Sequence, residues 1–219
     1  MTRSTRDFWV NQGLFQLAWP ACVLGAAWGT LWPAALLVST MLAWQLHPAH
    51  RHPNDLLALA AFVAAGLVLD TFWMQAGVVD YALAAPFEGF QPGWLTGLWI
   101  ALGLTANHSL SVFRHRWRLW VLLASIGSPL SYTMAARAGA VEWTAPTWVV
   151  VLCIGPVWAV VTGMLFRALP GGEGEAEAEA EARTESKSES KSESDGVASQ
   201  QRRDQSSVSN VMNLERARG

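Results

Sequence analysis

The sequence predicts an all-α membrane protein: a six-transmembrane-helix bundle with both termini cytoplasmic, followed by a disordered tail. Three observations predict it. The chain is 52% hydrophobic and only 15% charged over its 219 residues, where an average soluble domain carries about 25% charged residues. Apolar stretches of the length needed to cross hydrocarbon recur along it. The arginines between those stretches sort to one side.

A helix rises about 1.5 Å per residue, so about 20 apolar residues span the hydrocarbon core. Such stretches fall at approximately 8–28, 31–46, 56–76, 93–113, 117–136 and 147–167. Asn11, Gln12 and Gln16 interrupt the first one, and no small-x-small site ends it, so a cleaved signal peptide is not expected. The second is short and follows a tight Trp28-Gly29-Thr30-Leu31 turn, which predicts a helical hairpin. With the N-terminus in the cytoplasm, Arg3, Arg6, Arg51, Arg114, Arg116, Arg118 and Arg167 fall inside, and Arg137 alone falls outside. Deleting any one span would destroy that sorting. The long outer loop 77–92 carries Asp80 and Glu88 and no base.

The thirteen tryptophans follow the same geometry. Trp9, Trp44, Trp117 and Trp120 fall near inner ends of spans; Trp28, Trp32, Trp73, Trp94, Trp143 and Trp148 fall near outer ends. Indole favours the headgroup boundary, where the ring is half dry and its N–H finds a partner. Only Trp19, Trp99 and Trp158 lie well inside.

Charge divides the chain into two parts. Residues 1–170, the membrane domain, hold six acids, eight arginines and no lysine; residues 171–219 hold eleven acids and seven bases. The second part, with its "GGEGEAEAEAEARTESKSESKSES" run, lacks the apolar residues that offset ordering entropy and is expected to be a disordered cytoplasmic tail. Neither part carries the basic stripe that binds nucleic acid. Cys22 and Cys153 lie in apolar runs and are expected to be buried free thiols. No Gly-rich phosphate loop, His-Glu-x-x-His or Gly-x-Ser-x-Gly motif is present, so no catalytic residue, cofactor or metal is predicted. His47, His50 and His52 have the look of a ligand cluster, but prolines bracket them and Arg51 opposes a cation; interfacial histidines are the expectation.

An ionisable or strongly polar group inside a bilayer is costly and needs a reason. Asp70 lies in the outer half of the third span, on one face with Gly66 and Trp73. Its role is either proton coupling or substrate contact, or a structural hydrogen bond between helices. His108 lies in the inner half of the fourth span, on a small face with Gly97, Ala101 and Thr105, and Asn107 flanks it. Straight helices would set Asp70 and His108 on the order of 10 Å apart in depth. Two polar layers follow: an inner one of Asn11, Gln12, Asn107 and His108, and an outer one of Asp70, Ser128 and Tyr132, with Ser131 beside it. Gly155, Ala159 and Gly163 form a close-packing stripe.

Four pieces, "LFQLAWPACVLGA" (14–26), "AGLVLDTFWMQAGV" (65–78), "LWIALGLTANHSLSVF" (98–113) and "ASIGSPLSYTMAARAGAV" (124–141), occur in this order. Over roughly residues 8–167 the chain resembles the bacterial inner-membrane family catalogued as domain of unknown function 2878. The family's signature positions map onto Asp70, onto Asn107, His108 and Ser109, and onto Pro129, Leu130, Ser131 and Tyr132. Gly127-Ser128-Pro129 stands where the family pattern has Gly-Gly-Pro. The resemblance implies a multi-pass protein of the bacterial inner membrane with the lipid bilayer as its first partner. Its association with lipid-modifying methyltransferases implies a role in envelope lipids. The leading expectation is therefore a non-catalytic partner or scaffold for lipid-modifying enzymes. The alternatives are a small proton-coupled transporter or lipid carrier using Asp70 and His108, and an intramembrane enzyme.

Overall fold

The computed structural model describes residues 3–83 and 87–169. The predicted tail, 171–219, lies outside the described residues. The rest is helical: α1 (Arg3–Ala27), α2 (Trp32–Gln45), α3 (Asp55–Gln75), α4 (Gly93–Thr105), the single turn α5 (Val112–His115), α6 (Trp117–Ala138) and α7 (Thr147–Ala168). Two three-residue strands, β1 (Val79–Tyr81) and β2 (Val141–Trp143), complete it. Among the described residues, α3, α6 and α7 are long and apolar enough to cross a membrane.

The helix ends follow local chemistry. Gly29 takes a left-handed φ of 73° between α1 and α2, and Pro33 opens the first turn of α2, where its missing N–H costs nothing. Gly139, at φ 86°, ends α6; its N–H reaches the Ala136 carbonyl, and that of Ala140 reaches Ala135.

Helix α6 shows why the outside of the bundle suits lipid. Leu122, Ile126, Leu130 and Met134, spaced by four, are all exposed. Its opposite stripe is small: Ala124, Ser128, Ser131 and Ala135 face inward. Large apolar side chains outside and small or hydroxylated ones inside invert the pattern of a soluble helix.

Helix α4 sits at the centre, packed on α1, α2 and α3, and residues 101–107 are buried without a break. Helices α6 and α7 pair through the small stripe: a Cβ on Gly155 would lie 2.6 Å from Pro129 Cγ, and one on Gly163 would lie 2.6 Å from Val121 Cγ2. Strands β1 and β2 pair antiparallel, Val79 opposite Trp143 and Tyr81 opposite Val141. That ribbon joins the α3–α4 and α6–α7 connections at one end of the bundle.

The fourth predicted span, 93–113, is not one helix. Helix α4 stops at Thr105, and residues 106–111 continue in tight turns with bonds such as His108 N–H to Thr105 and Ser111 N–H to His108. The cause is polar. Asn11 of α1 donates to the Leu104 carbonyl at 3.1 Å and accepts from the Ser109 N–H at 3.3 Å and the Ser109 hydroxyl at 2.6 Å. A single amide thus bonds to both sides of the break, where buried backbone groups would otherwise lack partners.

Candidate functional site

The turn after α4 brings together one polar cluster. Gln45, the last residue of α2, accepts from Asn11 Nδ2 at 2.6 Å, and its own Nε2 lies 2.7 Å from His108 Nε2. His108 Nε2 also stands 3.0 Å from both oxygens of Asp55, the first residue of α3. Asn107 Nδ2 donates to Asp55 Oδ1 at 2.9 Å, and the His52 backbone N–H donates to Asp55 Oδ2 at 2.8 Å. Asp55, Gln45 and Asn11 are almost fully buried. Three of the four predicted inner-layer residues therefore meet here: Asn11, Asn107 and His108. Gln12 is only half-buried on α1 and takes no part.

Two members, Asp55 and Gln45, were not among the sequence candidates. Both stand at helix ends beside the His47–His52 loop, where polarity is ordinary. Two of the three loop histidines, His47 and His50, lie in ring contact at 5.8 Å, and His52 stands edge-on to His108 at 6.4 Å. His50 pairs with Asp7 at 3.2 Å and stacks on Trp44 at 4.2 Å, and no group of three His, Cys, Asp or Glu side chains suited to a metal occurs among the described residues.

Asp70 anchors a second cluster. It lies 15 residues beyond Asp55 on α3, or about 22 Å along the axis, so His108 stands about twice as far away in depth as straight helices predict. The early end of α4 carries His108 to the very start of α3. Both Asp70 oxygens are held by neutral donors. Trp99 Nε1 donates to Oδ2 at 2.6 Å, the Tyr81 hydroxyl donates to Oδ1 at 3.3 Å, and the Tyr132 hydroxyl also donates to Oδ1. The Gln91 amide satisfies its surroundings in one orientation, with nitrogen donating to Asp70 Oδ2 and the Gly66 carbonyl and oxygen accepting from Thr96, all at 3.1 Å. Among the described residues no basic side chain pairs with Asp70. Burial and the charge of Asp70 push the Tyr81 hydroxyl above its ordinary value, so it stays a donor.

Gly66 makes this cluster buildable: a Cβ there would lie 2.1 Å from Trp99 Cγ. The indole fills the space that glycine leaves and so reaches the carboxylate one turn away.

Asp70 is among the residues lining a cavity of about 440 Å³ between α1, α4, α6 and α7. Trp19, Trp94, Trp99, Trp120 and Trp158 supply most of its bulk, and the small stripe of α6 supplies its room. The outer-layer candidates Ser128 and Tyr132, with Ser131, line it too; the Ser131 hydroxyl accepts from Trp19 Nε1 at 2.7 Å, and Ser128 is 3.5 Å from the Gly155 carbonyl. Trp99, Tyr81 and Gln91 were not singled out as site residues. The interior placement of Trp19, Trp99 and Trp158 was the available signal, since all three line this cavity.

The fold and this site define a class: an all-helical protein with membrane-length apolar helices, a buried carboxylate and an aromatic cavity beside it. Residues 8–164 match the family model described as "Protein of unknown function (DUF2878)", and the chain belongs to that family. Neither the curated proteins nor the solved structures yielded a match.

Proposed function

We propose that this is a six-pass protein of the bacterial inner membrane that binds and carries an amphiphilic molecule, holding its chain in the aromatic cavity and its polar end at Asp70. The carrying observation is the cavity itself: about 440 Å³, lined mainly by indole and aliphatic groups, with one buried carboxylate in its wall. Ligand sites have this character, apolar walls with a few placed polar groups, at about 300–1,000 Å³. A scaffold for lipid-modifying enzymes needs only an outer face and gives no reason for such a cavity. An intramembrane enzyme pairing Asp70 with His108 is disfavoured by their membership of separate clusters.

The six-pass topology is supported by the arginine sorting and by the β1–β2 ribbon, which needs the α3–α4 and α6–α7 connections on one side. In a variant lacking Cys22 and Cys153, single cysteines at Glu88 or Glu142 should react with an impermeant maleimide in intact spheroplasts. Cysteines at Pro48 or Arg116 should react only after permeabilisation. Reaction of both sets in intact cells would overturn the topology.

Binding is tested with a bromine-labelled dodecyl alcohol in nanodiscs, read as quenching of tryptophan fluorescence. A saturable component is expected, and Gly127→Leu should remove it. Gly127 lines the cavity at an exposed position and a Cβ there meets nothing within 4 Å, so a bulky side chain starts from open space at the cavity's edge. Quenching that only tracks chain concentration, equal in both proteins, would overturn the reading.

A further inference from the structure

We infer that the ligand of this cavity is a cationic amphiphile, an apolar chain or ring system ending in a tertiary or quaternary ammonium group. The inference rests on the binding reading above and adds the chemistry of the ligand's polar end. Asp70 is 1% exposed and no basic side chain among the described residues pairs with it. A buried charge is tolerated when it is paired or neutralised. The protein supplies only neutral donors: Tyr132, Tyr81, Trp99 and Gln91. They orient the carboxylate and leave its charge uncompensated, so the balancing charge comes from a proton or from the ligand.

The wall favours the ligand. Indole is the best aromatic partner for a cation, and five tryptophans line the cavity. Four of their N–H groups are already spent within the protein: Trp19 on Ser131, Trp94 on the Ala82 carbonyl, Trp99 on Asp70 and Trp120 on Thr162. What these rings offer a guest is π surface. Trp99 and Trp158 lie 5.4 Å apart and Trp158 and Trp120 6.4 Å apart, a continuous aromatic row. A phosphate or sulfate headgroup would find no cation among the lining residues, only the neutral Gln16 amide and the Trp158 N–H, and the Asp70 carboxylate would oppose it. An ammonium group meets a carboxylate and a row of indoles, and needs no hydrogen-bond acceptor if fully alkylated.

The test compares three bromine-labelled amphiphiles with the same dodecyl chain, ending in trimethylammonium, alcohol or sulfate. Tryptophan quenching is measured in nanodiscs of zwitterionic lipid at known mole fraction. The ammonium form should half-saturate at roughly thirtyfold lower mole fraction than the alcohol, the factor that a desolvated cation–π contact supports. The sulfate should be weakest. Asp70→Asn should narrow the difference between ammonium and alcohol, the indole faces retaining part of the preference, while alcohol binding persists. The wild-type series alone decides if that variant does not fold. Equal or tighter binding of the alcohol would overturn the cationic assignment and leave the cavity reading standing. Absence of saturable binding by all three, or its survival in Gly127→Leu, would overturn the cavity reading and this one with it.

Discussion

Gly66→Ala adds one methyl group on the buried face of α3 and should damage the Asp70 cluster from behind. The new Cβ would lie 2.1, 2.2 and 2.3 Å from three atoms of the Trp99 indole. That ring cannot swing aside freely: it is 3% exposed, packs against Trp158 and donates to Asp70. Forced overpacking costs about 1–3 kcal/mol. If the indole shifts, it leaves a buried acceptor short of a donor, about another 1–3 kcal/mol. Alanine gains up to about 1 kcal/mol over glycine in helix propensity. The net expectation is a loss of about 2–5 kcal/mol. Gly127→Ala is the matched control, since a Cβ there has open space and the helix gain stands alone. Reversible unfolding in mixed micelles, followed by tryptophan fluorescence, compares the two. Equal stability of Gly66→Ala and Gly127→Ala would refute the packing logic behind the whole cluster.

Further outcomes follow from the same contacts. Asn11→Ala removes bonds to Gln45, the Leu104 carbonyl and Ser109, leaves the break after α4 unsatisfied, and should cost about 2–4 kcal/mol in the same unfolding measurement. Gln12→Ala, one residue on, should change stability by less than about 0.5 kcal/mol. Trp99→Phe should destabilise more than Tyr81→Phe, because its donor is closer to the carboxylate, 2.6 Å against 3.3 Å; the reverse order would refute the ranking. Tyr81 also sets an alkaline limit. Its folded pKa is raised above the ordinary value of about 10, so the stability it contributes is fully present below pH 10 and is lost as pH rises towards the folded pKa. Residues 1–170 contain no lysine, so few other groups titrate there. Unfolding curves from pH 9 to 12 should fall less steeply for Tyr81→Phe than for the parent.

Period and charge made the helices legible. The stretches at 117–136 and 147–167 match α6 and α7 to within two residues at each end, and the Gly155–Gly163 stripe was legible as a close-packing face, though not which helix it meets. Asp70 and Tyr132 were legible as one outer layer because each is a polar group in an apolar run. The end of α4 was not. Its polar residues Asn107, His108 and Ser109 carry no glycine or proline stop signal, and only the amide of Asn11, far away in the chain, rewards the break. Asp55 escaped notice because an acid at the start of a helix is ordinary; its burial depends on where Asn107 and His108 arrive. The cavity is a difference in volume between facing helices, small residues on α6 against tryptophans on α1 and α4, and no single stretch carries it.

The Asn11 clasp also sets an order of events in biosynthesis. Helix α1 leaves the ribosome well before its partners: Leu104 and Ser109 are 93 and 98 residues later in the chain. At about 5–20 residues per second, the first helix waits roughly 5–20 s for them. Until then its amide has only Gln45 of α2, 34 residues on, for company. A nascent chain halted before Leu104 would hold a first helix whose amide lacks most of its partners, a ready substrate for chaperones and quality-control proteases.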